Sequence, residues 1–244
     1  MKFPTLLLMS LLIAGSFASG VDFESVTSGG KKYTVCHVNL QREKLRLFLK
    51  DDAGKSLKSF DAVQAMLASQ NQRLLFAMNA GMYETDFSPL GLYIADGRTA
   101  RSLNMRTSTW GNFYLKPNGV FYINEAGAHI TETSLYVTTG HATLATQSGP
   151  MLVIDGRIHP AFNPDSQSRL FRNGVGVVTP QEVAFVISEE PVNFYEFALI
   201  FRNVLHCRNA LFLDGTISSL YSTELKRDDR KMDLGPMIGV VSGR

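Results

Sequence analysis

From residue 33 onward, short apolar runs keep stopping at a glycine, asparagine, aspartate or proline: LLFAMNA, LGLYIAD, GVFYIN, PMLVIDG, VAFVIS and NALFLDG. A buried helix needs roughly 10–12 residues, so runs this short, closed by turn-forming residues, read as strands. KYTVCHVNL and LRLFLKD alternate apolar and polar residues as the two strands of a hairpin do. Only two stretches carry a helical period. LKSFDAVQAMLASQ spaces Phe60, Val63 and Leu67 along one face behind a Ser59 cap. NFYEFALIFRNVLHC opens with an Asn193/Glu196 capping box and carries Phe194, Phe197, Ala198, Phe201, Val204 and Leu205 as one apolar face. The expected fold class is therefore α+β, a single domain of mixed or antiparallel β-sheets with a few helices packed outside.

A chain of 244 residues with 45% hydrophobic and 19% charged residues can bury one sizeable core. The 24 basic and 22 acidic side chains are scattered and leave a net charge of +2, so no nucleic-acid partner is expected. The first residues, MKFPTLLLMSLLIAGSFASG, combine Lys2, a short apolar stretch and small residues, which predicts a signal peptide over residues 1–18 and a mature domain over residues 19–244. An uncleaved anchor is the alternative. No cysteine stands at the cleavage site to take a lipid, and no later apolar run approaches the roughly 20 residues of a membrane span. The expected location is outside the inner membrane, periplasmic in a Gram-negative cell. An oxidising compartment permits a Cys36–Cys207 bridge, and two buried thiols are the other reading.

Several chemistries lack their residues. Histidines 37, 129, 141, 159 and 206 show no zinc spacing, so neither a metal nor a cofactor is expected. Ser148 stands outside any Gly-x-Ser-x-Gly elbow, and NGVGVV lacks the context of a dinucleotide loop. Ser28 to Lys31 spell Ser-x-x-Lys ahead of any expected packed element, and KRDDRK, residues 226 to 231, reads as a solvated loop. What remains is polar residues at strand ends. Asn79 lies in FAMNAGMY, Thr146, Gln147 and Ser148 in ATQSGPMLVIDG, Arg172 and Asn173 in FRNGVGVV, and Asp214, Ser218 and Ser219 in LFLDGTISS. Each alone is ordinary turn chemistry. Their joint occurrence in this order is not.

In that order the four stretches resemble the motifs of the phosphodiester glycosidase family, which run Asn-(Gly/Ala)-Gly-Phe-Phe, Ser-Gly-Pro, Arg-Thr-Ala-Ile-Gly and Leu-Asp-Gly-Gly-Gly-Ser. Here they read NAGMY, SGP, RNGVG and LDGTIS, and the likeness extends from about residue 33 to 241. Thr216 and Ile217 stand where the family has two glycines, and Asn173 and Gly174 where it has Thr-Ala. The resemblance implies a hydrolase that cleaves the bond between a sugar and a phosphate in a glycan or sugar-phosphate substrate.

The residue chemistry agrees with that implication. Arg172 offers a planar guanidinium able to grip phosphate through two parallel hydrogen bonds. Asp214 is suited to stabilise positive charge at the anomeric carbon or to act as base toward water. Asn79 would orient a sugar hydroxyl or the carboxylate, which makes Asp214, Asn79 and Arg172 the expected catalytic set. Ser148, Ser218, Gln147, Thr146 and Asn173 are the expected substrate-binding residues, and Glu84, with Asp86, is the candidate second carboxylate in MYETDFSP. Two other readings stay open: a carbohydrate or sugar-phosphate binding protein of the envelope that does not turn its ligand over, and a structural protein that keeps the fold alone.

Overall fold

A computed structural model describes residues 20–107, 110–136, 141–215 and 217–242; the expected signal peptide and Thr216 lie outside the described residues. The strands form three sheets. The first runs Val21–Ser28, Lys31–Asn39, Glu182–Ser188, Asn173–Thr179, Asn209–Asp214, Met151–Ile154 and Arg157–Ile158 from edge to edge. The second runs Arg227–Asp228, Leu220–Ser222, Arg73–Asn79, Met237–Ser242 and Leu45–Phe48. The third runs Arg98–Arg101, Tyr93–Ala95, Leu144–Ser148, Gly119–Asn124 and Gly127–Glu132. Each described pairing is antiparallel, so the expected α+β class resolves into a sheet-dominated domain with, among the described residues, two α-helices, Phe60–Ser69 and Phe194–Leu199.

One apolar cluster joins the three sheets: Val38, Phe185 and Leu211 from the first meet Phe76 and Ile238 from the second and Phe121 and Leu144 from the third. The opposite face of the first sheet is covered as well, because Phe197, Phe201 and Leu205 pack on Ala184, Val186, Ala210 and Phe212. A strand buried on both faces has no polar side to show, which is why VAFVIS and NALFL read as unbroken apolar runs rather than as alternation. The glycine spacing of NGVGVV belongs to the same contact. A Cβ at Gly176 would stand 2.6 Å from Cys207 Sγ and 2.7 Å from the Phe201 ring, so only glycine lets the helix lie this close.

Both helices begin where their caps predict. Ser59 accepts from the Ala62 amide, and Asn193 and Glu196 form the reciprocal capping box. The second helix departs from expectation after Leu199, where the chain widens into a π-helical stretch over Ile200–Val204. The extra residue in that turn rotates Val204 off the apolar face, leaving it 38% exposed, while Leu205 still reaches the core.

Three further expectations are corrected by tertiary contacts, and the choice left open for the two cysteines is decided in favour of buried thiols. Residues 32–40 and 45–51 do not pair as a hairpin: Lys31–Asn39 lies between Val21–Ser28 and Glu182–Ser188, whereas Leu45–Phe48 joins Met237–Ser242 in another sheet. Ser28 to Lys31 do not precede the packed elements but turn a tight hairpin, with Gly29 and Gly30 at φ of 57° and 73°. Cys36 and Cys207 are free and buried in different clusters, on opposite faces of the first sheet, so no bridge joins them. Burial holds the Cys36 thiol well above its usual range and pushes that of Cys207 to about 12. The run at residues 226 to 231 is likewise less solvated than expected, because Arg227 pairs with Glu189 and Asp229, and Arg230 with Asp61 and Asp228.

Candidate active site

Two strands of the first sheet and one of the second end at the same place. The Asn209–Asp214 strand delivers Asp214, its neighbour Asn173–Thr179 begins with Asn173 opposite it, and Arg73–Asn79 ends at Asn79. Two asparagine amides tie these ends together. Asn173 Nδ2 donates to the Asn79 carbonyl at 2.8 Å and to Asn79 Oδ1 at 2.9 Å, and Asn173 Oδ1 accepts from the Asp214 amide at 2.9 Å. Asn79 Oδ1 also accepts from the Ser219 amide at 3.0 Å. With its oxygen committed to two donors, Asn79 turns its Nδ2 away from them. That buried atom has no hydrogen-bond partner, yet it stands close enough to Asp214 to favour the ionised carboxylate.

Asp214 is the one partly exposed member of this set, for Asn79, Asn173, Ser218 and Ser219 are all fully enclosed. Burial pushes its carboxyl up to about 6, against the opposing pull of the Gly215 amide, which donates to Oδ1 at 2.6 Å, and of Asn79. The result is a carboxyl poised near neutrality and reachable from solvent. Strongly perturbed groups of this kind cluster at functional sites.

The remaining expected residues divide into braces and outsiders. Ser148 Oγ donates to the Leu213 carbonyl at 2.9 Å and Thr146 Oγ1 to the Ala80 carbonyl at 2.8 Å, each fixing the backbone beside Asp214 or Asn79. Ser218 Oγ closes its own turn onto the carbonyls of Gly215 and Asp214. Gln147, on the other face of its strand, spends both ends of its amide on Leu92, Asn104 and Thr133. Arg172 is not brought into the cluster. Its guanidinium is buried 3.7 Å from the Phe194 ring centroid, donates to the carbonyls of Val192 and Ser168, and leaves Nη1 without a partner; desolvation lowers it to about 10. Glu84 and Asp86 lie on an exposed turn that Asp86 itself caps through the Ser88 amide, and neither touches Asp214. Ile217, in place of a family glycine, is buried under the first helix with Phe60, Leu234 and Met237.

Two residues that the motif reading does not single out lie by the site, Tyr83 toward the carboxylate and Lys231 against the Ser218 turn. The Tyr83 hydroxyl donates to the Asp233 carbonyl at 2.7 Å and its ring stacks on Phe87. Its pKa is raised by burial and then by the charges of Asp214 and Asp233, so it lies within electrostatic reach of the carboxylate. Lys231 Nζ lies 3.4 Å from the Ser218 carbonyl and 4.5 Å from the centroid of the Phe171 ring. Tyr83 was within reach as the aromatic of NAGMY. Lys231 was hidden in a run of mixed charge. Among the described residues, no three or more His, Cys, Asp or Glu gather where they could hold a metal ion.

Fold and site together define a single-domain, sheet-built scaffold whose strand ends converge on one carboxylate. A family model described as phosphodiester glycosidase matches residues 72–241, and the chain belongs to that family, a hydrolase family. The uncharacterized protein YigE of Escherichia coli K12 is 33% identical over 213 residues, covering 87% of this chain and 83% of its own. Among solved structures, the catalytic domain of zebrafish N-acetylglucosamine-1-phosphodiester alpha-N-acetylglucosaminidase, auto-inhibited by its pro-peptide, superposes with a TM-score of 0.61 at 14% identity, covering 92% of this chain and 82% of that one. A putative exported protein of Burkholderia pseudomallei gives 0.52 at 12% identity, over 86% of this chain and 74% of that one.

Proposed function

We propose that this chain is an exported phosphodiester glycosidase that cleaves the bond between a sugar and a phosphate, with Asp214 as the working carboxylate. The observation that carries the reading is the cage around Asp214: a partly exposed carboxyl raised to about 6, held by the Gly215 amide and Asn79 at the meeting point of three strands. A phosphate is a good leaving group and needs little protonation, so the demand on the protein falls on the sugar side, where positive charge develops at the anomeric carbon. An ionised Asp214 meets that demand, either facing the developing charge or taking a proton from the attacking water. Asn79 Nδ2 orients the carboxylate or a sugar hydroxyl. Tyr83 and Phe87 offer an aromatic wall, and Lys231 supplies the positive charge for the departing phosphate. Arg172 holds the 168–172 segment against the second helix. The apolar leader at residues 1–18 supports export to the periplasm.

The test is incubation of the mature protein with sugar-1-phosphodiesters of differing sugar and aglycone, reading release of both halves. Turnover of at least one, lost in Asp214→Asn, is the expected result. Saturable binding without product across the panel would favour the envelope binding protein instead.

A further inference from the structure

Between Asp96 and Glu125 the chain carries Arg98, Arg101, Arg106 and Lys116 and no acidic residue at all, although acids make up just over half of the charged residues elsewhere. Arg98–Arg101 is the exposed edge strand of the third sheet. Just beyond it, Arg101, Ser102, Asn104 and Arg106 line a cavity of about 460 Å³ with Leu90 and Leu103. Among the described residues, Arg98, Arg101 and Arg106 form no ion pair with a carboxylate, whereas Arg169, Arg208, Arg227 and Arg230 each do. Asp86 is held low chiefly by Ser88 and only in the smallest part by the Arg101 charge. Two arginines that, among the described residues, have no carboxylate partner thus line one open cavity, a residue set that suits a phosphate.

Hydrogen bonds tie the cavity lining to segments that brace the candidate site. Gln147 Oε1 accepts from the Asn104 amide at 2.8 Å and its Nε2 donates to the Asn104 carbonyl at 2.8 Å, which pins the cavity floor to the Leu144–Ser148 strand. The neighbours of Gln147 on that strand, Thr146 and Ser148, brace the backbone at Ala80 and Leu213. On the other side, the Leu90 amide donates to the Met82 carbonyl, next to Tyr83, and the Leu90 carbonyl accepts from Asn104 Nδ2.

We propose that the cavity lined by Arg101 and Arg106 is a second anion subsite, which takes a phosphate of the substrate other than the one being cleaved and so selects an extended, multiply phosphorylated glycan. The proposal rests on the phosphodiester glycosidase reading for its substrate but not for the binding itself. Isothermal titration with inorganic tripolyphosphate tests it on four proteins: the mature chain, Arg101→Gln/Arg106→Gln, Asp214→Asn, and Lys32→Gln/Arg157→Gln, which loses the same charge elsewhere. Binding weakened at least tenfold in the first double variant alone is expected. Equal weakening in the second double variant, or none in the first, would overturn the subsite. Where a sugar phosphodiester is turned over, the Arg101→Gln/Arg106→Gln variant is expected to keep kcat and KM on a substrate with one phosphate and to raise KM about tenfold on one with two or more; equal kinetics on both would also overturn it. Absence of any turnover would count against the glycosidase reading, with calorimetry still deciding the subsite.

Discussion

At the scale of single residues, Asp214 combines a cost with a use. Its carboxyl is raised from 3.8 to about 6 in the folded chain, so folding takes up a proton between those values and stability falls as pH rises through that window. Above about pH 6 the ionised carboxylate is a standing burden on the order of 1–3 kcal/mol. Asp214→Asn keeps the acceptor for the Gly215 amide and removes the charge, so its melting temperature should exceed that of the parent at pH 7.5, with the gain shrinking toward pH 4; a lower melting temperature at both pH values would contradict the assigned environment. Asn173→Ala should act oppositely. It strips one partner from Asn79 Oδ1 and from the Asp214 amide, a loss of about 2 kcal/mol or more in chemical denaturation. Asn79, Asn173 and Asp214 could be picked out from sequence because each ends or begins an apolar run. The roles of Arg172, Gln147 and Ser148 could not, since whether a polar side chain faces a ligand or braces a backbone depends on strands that are far apart in the chain. Lys231 was missed for the same reason: its meaning comes from Phe171 and Ser218, not from its acidic and basic neighbours.

At the scale of elements, periodicity and capping located both helices and the central strands, and tertiary contacts decided the rest. The π-helical turn at Ile200–Val204 is invisible to a 3.6-residue period, and it explains why Val204 misses the core that Phe197 and Phe201 reach. Val21–Ser28 escaped notice because an edge strand with one exposed face carries mostly polar residues. Asn193→Ala removes the cap of a six-residue helix and should cost about 1 kcal/mol in denaturant melts, with Asn193→Asp recovering most of it. Gly176→Ala should cost about 1–3 kcal/mol, since the added methyl collides with Cys207 and Phe201. A neutral Gly176→Ala would mean that the helix does not sit this tightly on the sheet.

At the scale of the whole molecule, three antiparallel sheets share one core, and the candidate site lies where the first two meet. No covalent link is needed to hold them. The denatured, unreduced protein should therefore titrate two thiols, and a reductant should leave its melting temperature unchanged; zero thiols would contradict the placement of Cys36 and Cys207 on opposite faces. The order of the four motifs along the chain was enough to identify the family, but not to show that they converge through Asn79 and Asn173 on a single carboxylate. That convergence is the central claim, and the pH dependence of kcat/KM on a sugar-1-phosphodiester, for the parent and for Asp214→Asn, tests it most directly. The parent should rise through about pH 6 to a plateau as Asp214 ionises, and the variant should fall by about 10²–10⁴-fold and lose that rise. A variant that keeps the parent's rate and profile would show that the chemistry lies elsewhere.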